Sequence, residues 1–172
     1  MASKTLVPVE EDAALNLDRP EPDYVDGEII ERHLGATPHF EAQERMLEFF
    51  RSLRQSYSLF GYSEVTLIIS PTHYRIADVA VFNGRLARTK YQAEPPEFVI
   101  EIVSEDDRQV KILEKLAEYQ AWGVKHVWSV DPWTLKFFVY DQTGYHEVPA
   151  FELPEFDARI LPTEIFDQTP QQ

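Results

Sequence analysis

Between residues 38 and 57, apolar side chains recur at Met46, Leu47, Phe50, Leu53 and Tyr57, with Glu41, Glu44, Glu48 and Arg51 on the other side. That three-and-four spacing predicts an amphipathic helix. Thr37-Pro38 supplies its start, a capping hydroxyl followed by proline at the first helical position. Past Gly61 the period shortens. Val65–Ile69 is a β-rich run, Pro71, Thr72 and His73 make a turn, and Arg75–Phe82 reads as the return strand. Glu97–Val103 is almost continuously apolar, as a strand covered on both faces requires. A second helix is expected from about Arg108 to Trp122, capped by Asp106 or Asp107, with Ile112, Leu116 and Tyr119 as its core stripe. Gly123 is placed to end it in the left-handed conformation. Val124–Val130 is the next strand, stopped at Asp131-Pro132, and Leu135–Tyr140 with Tyr145–Val148 form a hairpin around Gly144. Near the start of the chain, Tyr24-Val25 and Ile29-Ile30 flank a turn at Asp26-Gly27-Glu28. The order helix, three strands, helix, strand predicts a mixed α/β sheet with helices on its faces and small β additions at each end.

A chain of 172 residues with 44% hydrophobic content fits one domain with a real core. Residues 1–21, acidic and holding Pro8 and Pro20, are expected to be an N-terminal extension, 22–166 the domain, and 167–172 a polar tail. No window approaches the ~18 consecutive apolar residues of a membrane span. No basic start with an apolar run opens the chain, and there is no cysteine. A cytoplasmic protein without disulfides or thiolate metal sites is the expectation. The net charge of −14 argues against tight non-specific binding to phosphate. Its distribution leaves a nucleic-acid role open, because residues 1–31 carry −7 and residues 141–172 carry −6, so the stretch between is close to neutral.

Two carboxylates stand where the pattern asks for apolar side chains. Asp78 lies within Arg75-Ile76-Ala77-Asp78-Val79-Ala80-Val81, and Glu101 lies in the most apolar strand. A buried, unpaired carboxylate costs several kcal/mol, roughly, so each needs a metal, a basic partner or hydrogen bonds. Singly, each also fits a loop cap or an arginine pair. On neighbouring strands they would make an oxygen site suited to Mg²⁺ or Mn²⁺, able to polarise a phosphate and activate water. Lys115, on the flank of the second helix's core stripe, could reach Glu101 or could pair on the surface with Glu114 or Glu118. His33, His73, His126 and His146 show no metal-ligand spacing, so a zinc site is not expected. Ser104 has no evident histidine base. Trp122, Trp128 and Trp133 read as core, and Arg85, Arg88 and Lys90 as a solvated loop that could also touch phosphate.

The segments Pro96-Glu97-Phe98-Val99-Ile100-Glu101-Ile102-Val103-Ser104, Glu114-Lys115-Leu116-Ala117-Glu118-Tyr119 and Gly123-Val124-Lys125-His126-Val127-Trp128-Ser129-Val130-Asp131-Pro132 resemble the Uma2 (DUF820) family. Tyr24-Val25-Asp26-Gly27-Glu28, His39 and Tyr74–Val81 match in order, so that the resemblance covers roughly residues 22–148. It implies a PD-(D/E)XK restriction endonuclease-like core, αβββαβ, with Asp78 on the second core strand and Glu101 on the third. The superfamily's lysine ordinarily stands two residues after the glutamate. That position is Val103 here, and Lys115 matches the family's displaced lysine. Ala77 stands where many members carry proline. The resemblance further implies a metal-dependent endonuclease with Asp78, Glu101 and Lys115 as catalytic residues and Asp78, Glu101 and Glu28 around Mg²⁺ or Mn²⁺. Nucleic acid, DNA above all, would be its substrate. Glu28 also reads as a turn residue, and His39 either as a helix-start residue near the cleft or, more ordinarily, as a packing or capping residue of the first helical turn. The rival readings are a catalytically silent nuclease fold that binds a protein or nucleic acid, and a homodimer paired through the edge of the terminal hairpin.

Overall fold

The computed structural model describes residues 22–32, 36–89, 91–105 and 109–166. The expected caps Asp106 and Asp107, together with Lys90, His33, residues 1–21 and the tail 167–172, lie outside the described residues.

Strands β1 (Asp23–Val25) and β2 (Glu28–Ile30) form the first hairpin, closed by Asp26 and Gly27, both at positive φ (46° and 86°). Aspartate and glycine tolerate that conformation, which matches the twist of a two-residue hairpin. Helix α1 (Thr37–Tyr57) follows. Its N-cap is Ala36, without a side-chain cap, so Thr37 is inside the first turn rather than capping it. Strand β3 (Leu59–Ser70) begins almost at once and is longer than its β-rich run, because Gly61 belongs to it. A Cβ at Gly61 would lie 3.2 Å from Leu47 Cδ2, so the missing side chain lets α1 sit close on the strand.

Strand β4 (His73–Asn83) is the spine of the sheet. One edge pairs with β3 along most of its length. The other edge is shared: β1 takes its start, at His73 and Tyr74, and β5 (Phe98–Ile102) takes its end, at Val79, Ala80 and Val81. Residues 75–78 fall between those two ladders. Helix α2 (Gln109–Trp122) then crosses to β6 (His126–Asp131), parallel to β5. Strands β7 (Lys136–Asp141) and β8 (Gly144–Val148) complete the order β2-β1-β4-β5-β6-β7-β8, with β3 on the free side of β4.

Beyond β8 the chain adds elements that the hydrophobic pattern does not predict: β9 (Phe151–Leu153), a 3-10 turn (Pro154–Phe156), β10 (Ala158–Ile160) and the short helix α3 (Pro162–Ile165). Three-residue strands are too short to show a period. Their side chains nonetheless finish the core. On the α1 face, Met46, Phe50, Phe98, Trp128 and Phe137 pack with Phe151, Leu153, Ile160 and Ile165. Trp128 stacks on Phe151 at 4.0 Å between ring centres, and Phe151 on Phe137 at 4.2 Å. On the α2 face, Leu116 and Tyr119 cover Leu67, Val99 and Val127. Of the three tryptophans expected in the core, Trp128 is buried and Trp122 partly so, but Trp133 is 45% exposed. Asp131 Oδ1 accepts the backbone N–H groups of Trp133 and Thr134, which fixes the turn and leaves the indole outside. Among the described residues, no helix is long and apolar enough to cross a membrane.

Candidate active site

The site lies where β4 and β5 separate. Their last ladder pair is Val79 with Ile100. One step further the strands have parted, and the Ile102 N–H donates to Asp78 Oδ2 at 2.8 Å instead of to a carbonyl of β4. Every buried N–H and C=O needs a partner, and across this fork side chains provide them. The Ile76 N–H donates to Asp23 Oδ1 (2.8 Å), and the Ile76 carbonyl accepts from Lys115 Nζ (2.8 Å). Asp78 and Glu101 are 4% and 7% exposed. Glu101 Oε2 accepts from Lys115 Nζ at 2.8 Å and its Oε1 from the Tyr119 hydroxyl at 3.0 Å. Lys115 and Tyr119 are four apart on α2, hence on one face, and both reach the same carboxylate. Lys115 thus pairs with Glu101, while Glu118 is taken by Arg75, whose Nε and Nη2 grip it at 2.7 and 2.8 Å.

A second set of residues closes over Asp78. Arg32, just beyond β2, donates from Nη2 to Asp78 Oδ1 at 2.7 Å and from Nη1 to Glu64. His39, in the first turn of α1, is buried with Nε2 3.5 Å from Asp78 Oδ2. One turn later Gln43 Nε2 donates to the Asp78 carbonyl (2.8 Å) and to Glu64 Oε1 (3.1 Å). Glu64 lies between the ladder pairs Ser63–Val79 and Val65–Ala77, so it stands across the hairpin from Asp78. Its φ of 51° is left-handed in mid-strand, a conformation that costs about 1–3 kcal/mol in a non-glycine residue and collects at functional sites. Asp23 Oδ2 completes the surround, accepting from Arg75 Nη1 (3.1 Å) and lying 3.9 Å from Lys115 Nζ.

The two carboxyls titrate in opposite directions. Burial by itself raises Asp78, but the hydrogen bond from His39 and the charges of Lys115 and Arg32 outweigh it and hold the group well below the usual carboxylate range. Burial also raises Glu101; Lys115 opposes it, the negative charge of Asp78 adds to it, and the result is a pKa of about 7. Lys115, Arg32 and His39 are all raised: burial opposes their charge, and the surrounding acids overcome it. Burial, followed by the charge of Glu101, pushes Tyr119 up.

The structure therefore brings Asp78, Glu101 and Lys115 together. It does not bring Glu28 to them. Glu28 is exposed at the first residue of β2, opposite Val25, with β1 between it and β4. The further acids around the pair are Asp23 and Glu64. Asp23 is hidden in the sequence by its place at the expected edge of the domain, and Glu64 by its position in an ordinary β-rich stretch. His39 is packed in the first helical turn beside Asp78 and does not cap the helix. Arg32 carries no sequence signal, since it follows the hairpin in a stretch with no periodicity. The donor set at the fork is two deeply buried carboxylates, hard oxygens of the kind that suit Mg²⁺ or Mn²⁺. A guanidinium already rests on one of them as a stand-in cation. Elsewhere, Glu97, His126 and Glu155 have ligand atoms all within 4.8 Å of one another, a grouping that sequence spacing does not reveal. There Lys125 pairs with Glu97, and His126 Nε2 lies 3.0 Å from Glu155 Oε1.

An antiparallel three-strand meander, linked through a helix to a parallel fourth strand and opening at two buried carboxylates, defines a restriction endonuclease-like α/β fold. The chain belongs to the Uma2 family, whose model, described as "Putative restriction endonuclease", matches residues 9–167. A crystal structure of "a putative nuclease belonging to DUF820" from Anabaena variabilis ATCC 29413 superposes with a TM-score of 0.79 at 21% identity, over 93% of this chain and 97% of that one. At that identity the likeness is one of fold. No curated protein matches the chain.

Proposed function

We propose that this protein is a divalent-metal-dependent endonuclease that hydrolyses phosphodiester bonds of nucleic acid, with DNA as the substrate. One observation carries this reading: the fork between β4 and β5 sets two buried carboxylates, Asp78 and Glu101, beside the ammonium of Lys115. Asp78 and Glu101 would hold Mg²⁺ or Mn²⁺, which when bound polarises a phosphate oxygen and lowers the pKa of water. Lys115, fixed by the Ile76 carbonyl and Glu101, would set its positive charge against an attacking water or the charge developing on the phosphate. Tyr119 fixes the other Glu101 oxygen and so orients the carboxylate.

The test compares wild type with Glu101→Ala on DNA and on RNA, each with Mg²⁺ and with Mn²⁺. Metal-dependent cleavage by the wild type alone is expected. Equal cleavage by both proteins, or no heat of metal binding in calorimetry, overturns the reading. The rival, a nuclease fold that binds a partner without cleaving, draws on the net charge of −14. A stable co-purifying partner and a wild type that takes up no metal would select it.

A further inference from the structure

Arg32 already places a positive charge on Asp78. Its Nη2 is 2.7 Å from Asp78 Oδ1, and the guanidinium also bonds Glu64, which Gln43 holds in turn. The other Asp78 oxygen is committed to the Ile102 N–H and faces His39. A metal bound through Oδ1 would meet Arg32, which covers that oxygen. A monodentate carboxylate oxygen does not readily serve a guanidinium and a divalent ion in the same direction, and the two cations repel. Glu64 gives the arginine somewhere to stay if it leaves Asp78: the left-handed turn of the β3 backbone at φ 51° puts this acid across the hairpin from Asp78.

We propose that Arg32 is the resident counter-cation of the acid pair and competes with the divalent ion for Asp78 Oδ1, so that metal entry requires the guanidinium to withdraw toward Glu64. The inference rests on the metal site proposed above. It makes Arg32 a positioning residue that sets metal affinity, and it assigns Glu64 the task of retaining the displaced arginine.

The experiment is titration calorimetry with Mn²⁺ alone on wild type, Arg32→Gln and Arg32→Lys, with thermal melts of each protein at zero and saturating Mn²⁺. Arg32→Gln is expected to bind Mn²⁺ about tenfold more tightly, the scale of one charge-assisted hydrogen bond no longer in competition. It should melt lower than wild type without metal and gain more from Mn²⁺. Adding Asp78→Asn to Arg32→Gln should abolish the gain, which ties it to this carboxylate. Arg32→Lys keeps the charge without the fork that spans two acids. It should fall between the other two, and it decides the matter should Arg32→Gln not fold. If wild type binds Mn²⁺ and the Arg32 variants bind equally or more weakly, the competition is overturned and the metal site stands. If none of the proteins binds Mn²⁺, both are overturned.

Discussion

Glu101 and Glu118 answer burial in opposite ways. Glu101 is almost wholly withdrawn from water, and its two oxygens accept from Lys115 and Tyr119. Removing one member of a buried ion pair leaves the other uncompensated. Lys115→Met should therefore lower stability by about 3 kcal/mol in urea unfolding, as well as ending any cleavage. A loss near zero at neutral pH would show that Glu101, whose pKa is already about 7, takes up a proton once the ammonium is gone. Glu118 is the contrasting case. Burial raises it, but His73 Nε2 at 3.0 Å and the two bonds from Arg75 more than reverse this and bring its pKa down to about 2. Its folded value is below its unfolded one, so the ionised form contributes stability above about pH 4.5, and that contribution fades as pH falls from there toward 2. Glu118→Gln should accordingly give a flatter stability profile across that interval than wild type, measured by thermal melts at stepped pH. Identical slopes would remove Glu118 from the acid response.

Among the elements, the contact between α1 and β3 is the most exacting. Gly61 has Leu47 Cδ2 and Phe50 Cβ at 3.2 and 3.5 Å from where its own Cβ would be. A branched side chain there must push the helix outward, and overpacking of this kind costs about 1–3 kcal/mol. Gly61→Val should show that loss in denaturant unfolding, and Leu47→Ala in the same chain should recover part of it. Additivity of the two changes would mean that they do not meet. The helix also carries His39 and Gln43 onto Asp78, so its seating bears on the site. The helical and strand periods make α1, α2 and the long strands legible in the sequence. The fork between β4 and β5 is not legible there, because Val79, Ile100 and Ile102 are equally good residues for paired or separated strands.

For the molecule as a whole, the segment after β8 belongs to the domain. Phe151, Leu153, Ile160, Ile165 and Phe166 are all buried against the α1 face. Burial of each such side chain is worth about 1.5–3 kcal/mol, and together they rival the entire net stability of an ordinary domain, about 5–15 kcal/mol. A chain ending at residue 149 should not fold cooperatively, as judged by near-ultraviolet circular dichroism and the loss of a sharp melt. A native-like melt from that fragment would make the segment an accessory. The family match runs to residue 167, in agreement with a core that includes this segment, whereas the recognisable sequence motifs end near residue 148.

Taken alone, the sequence determined the order of elements from the first hairpin through β8 and the two anomalous acids, because hydrophobic period and a charge in an apolar run are local properties; it left Lys115 open between Glu101 and the surface acids. It could not determine which polar groups meet across strands. Arg32, Glu64 and Asp23 come to the acid pair, and Glu28 does not, because the β4 edge is shared between β1 and β5 and opens between them. That gap is a fact of strand pairing, set by residues far apart along the chain. Only the folded backbone decides which side chains take the hydrogen bonds the ladder leaves unmade.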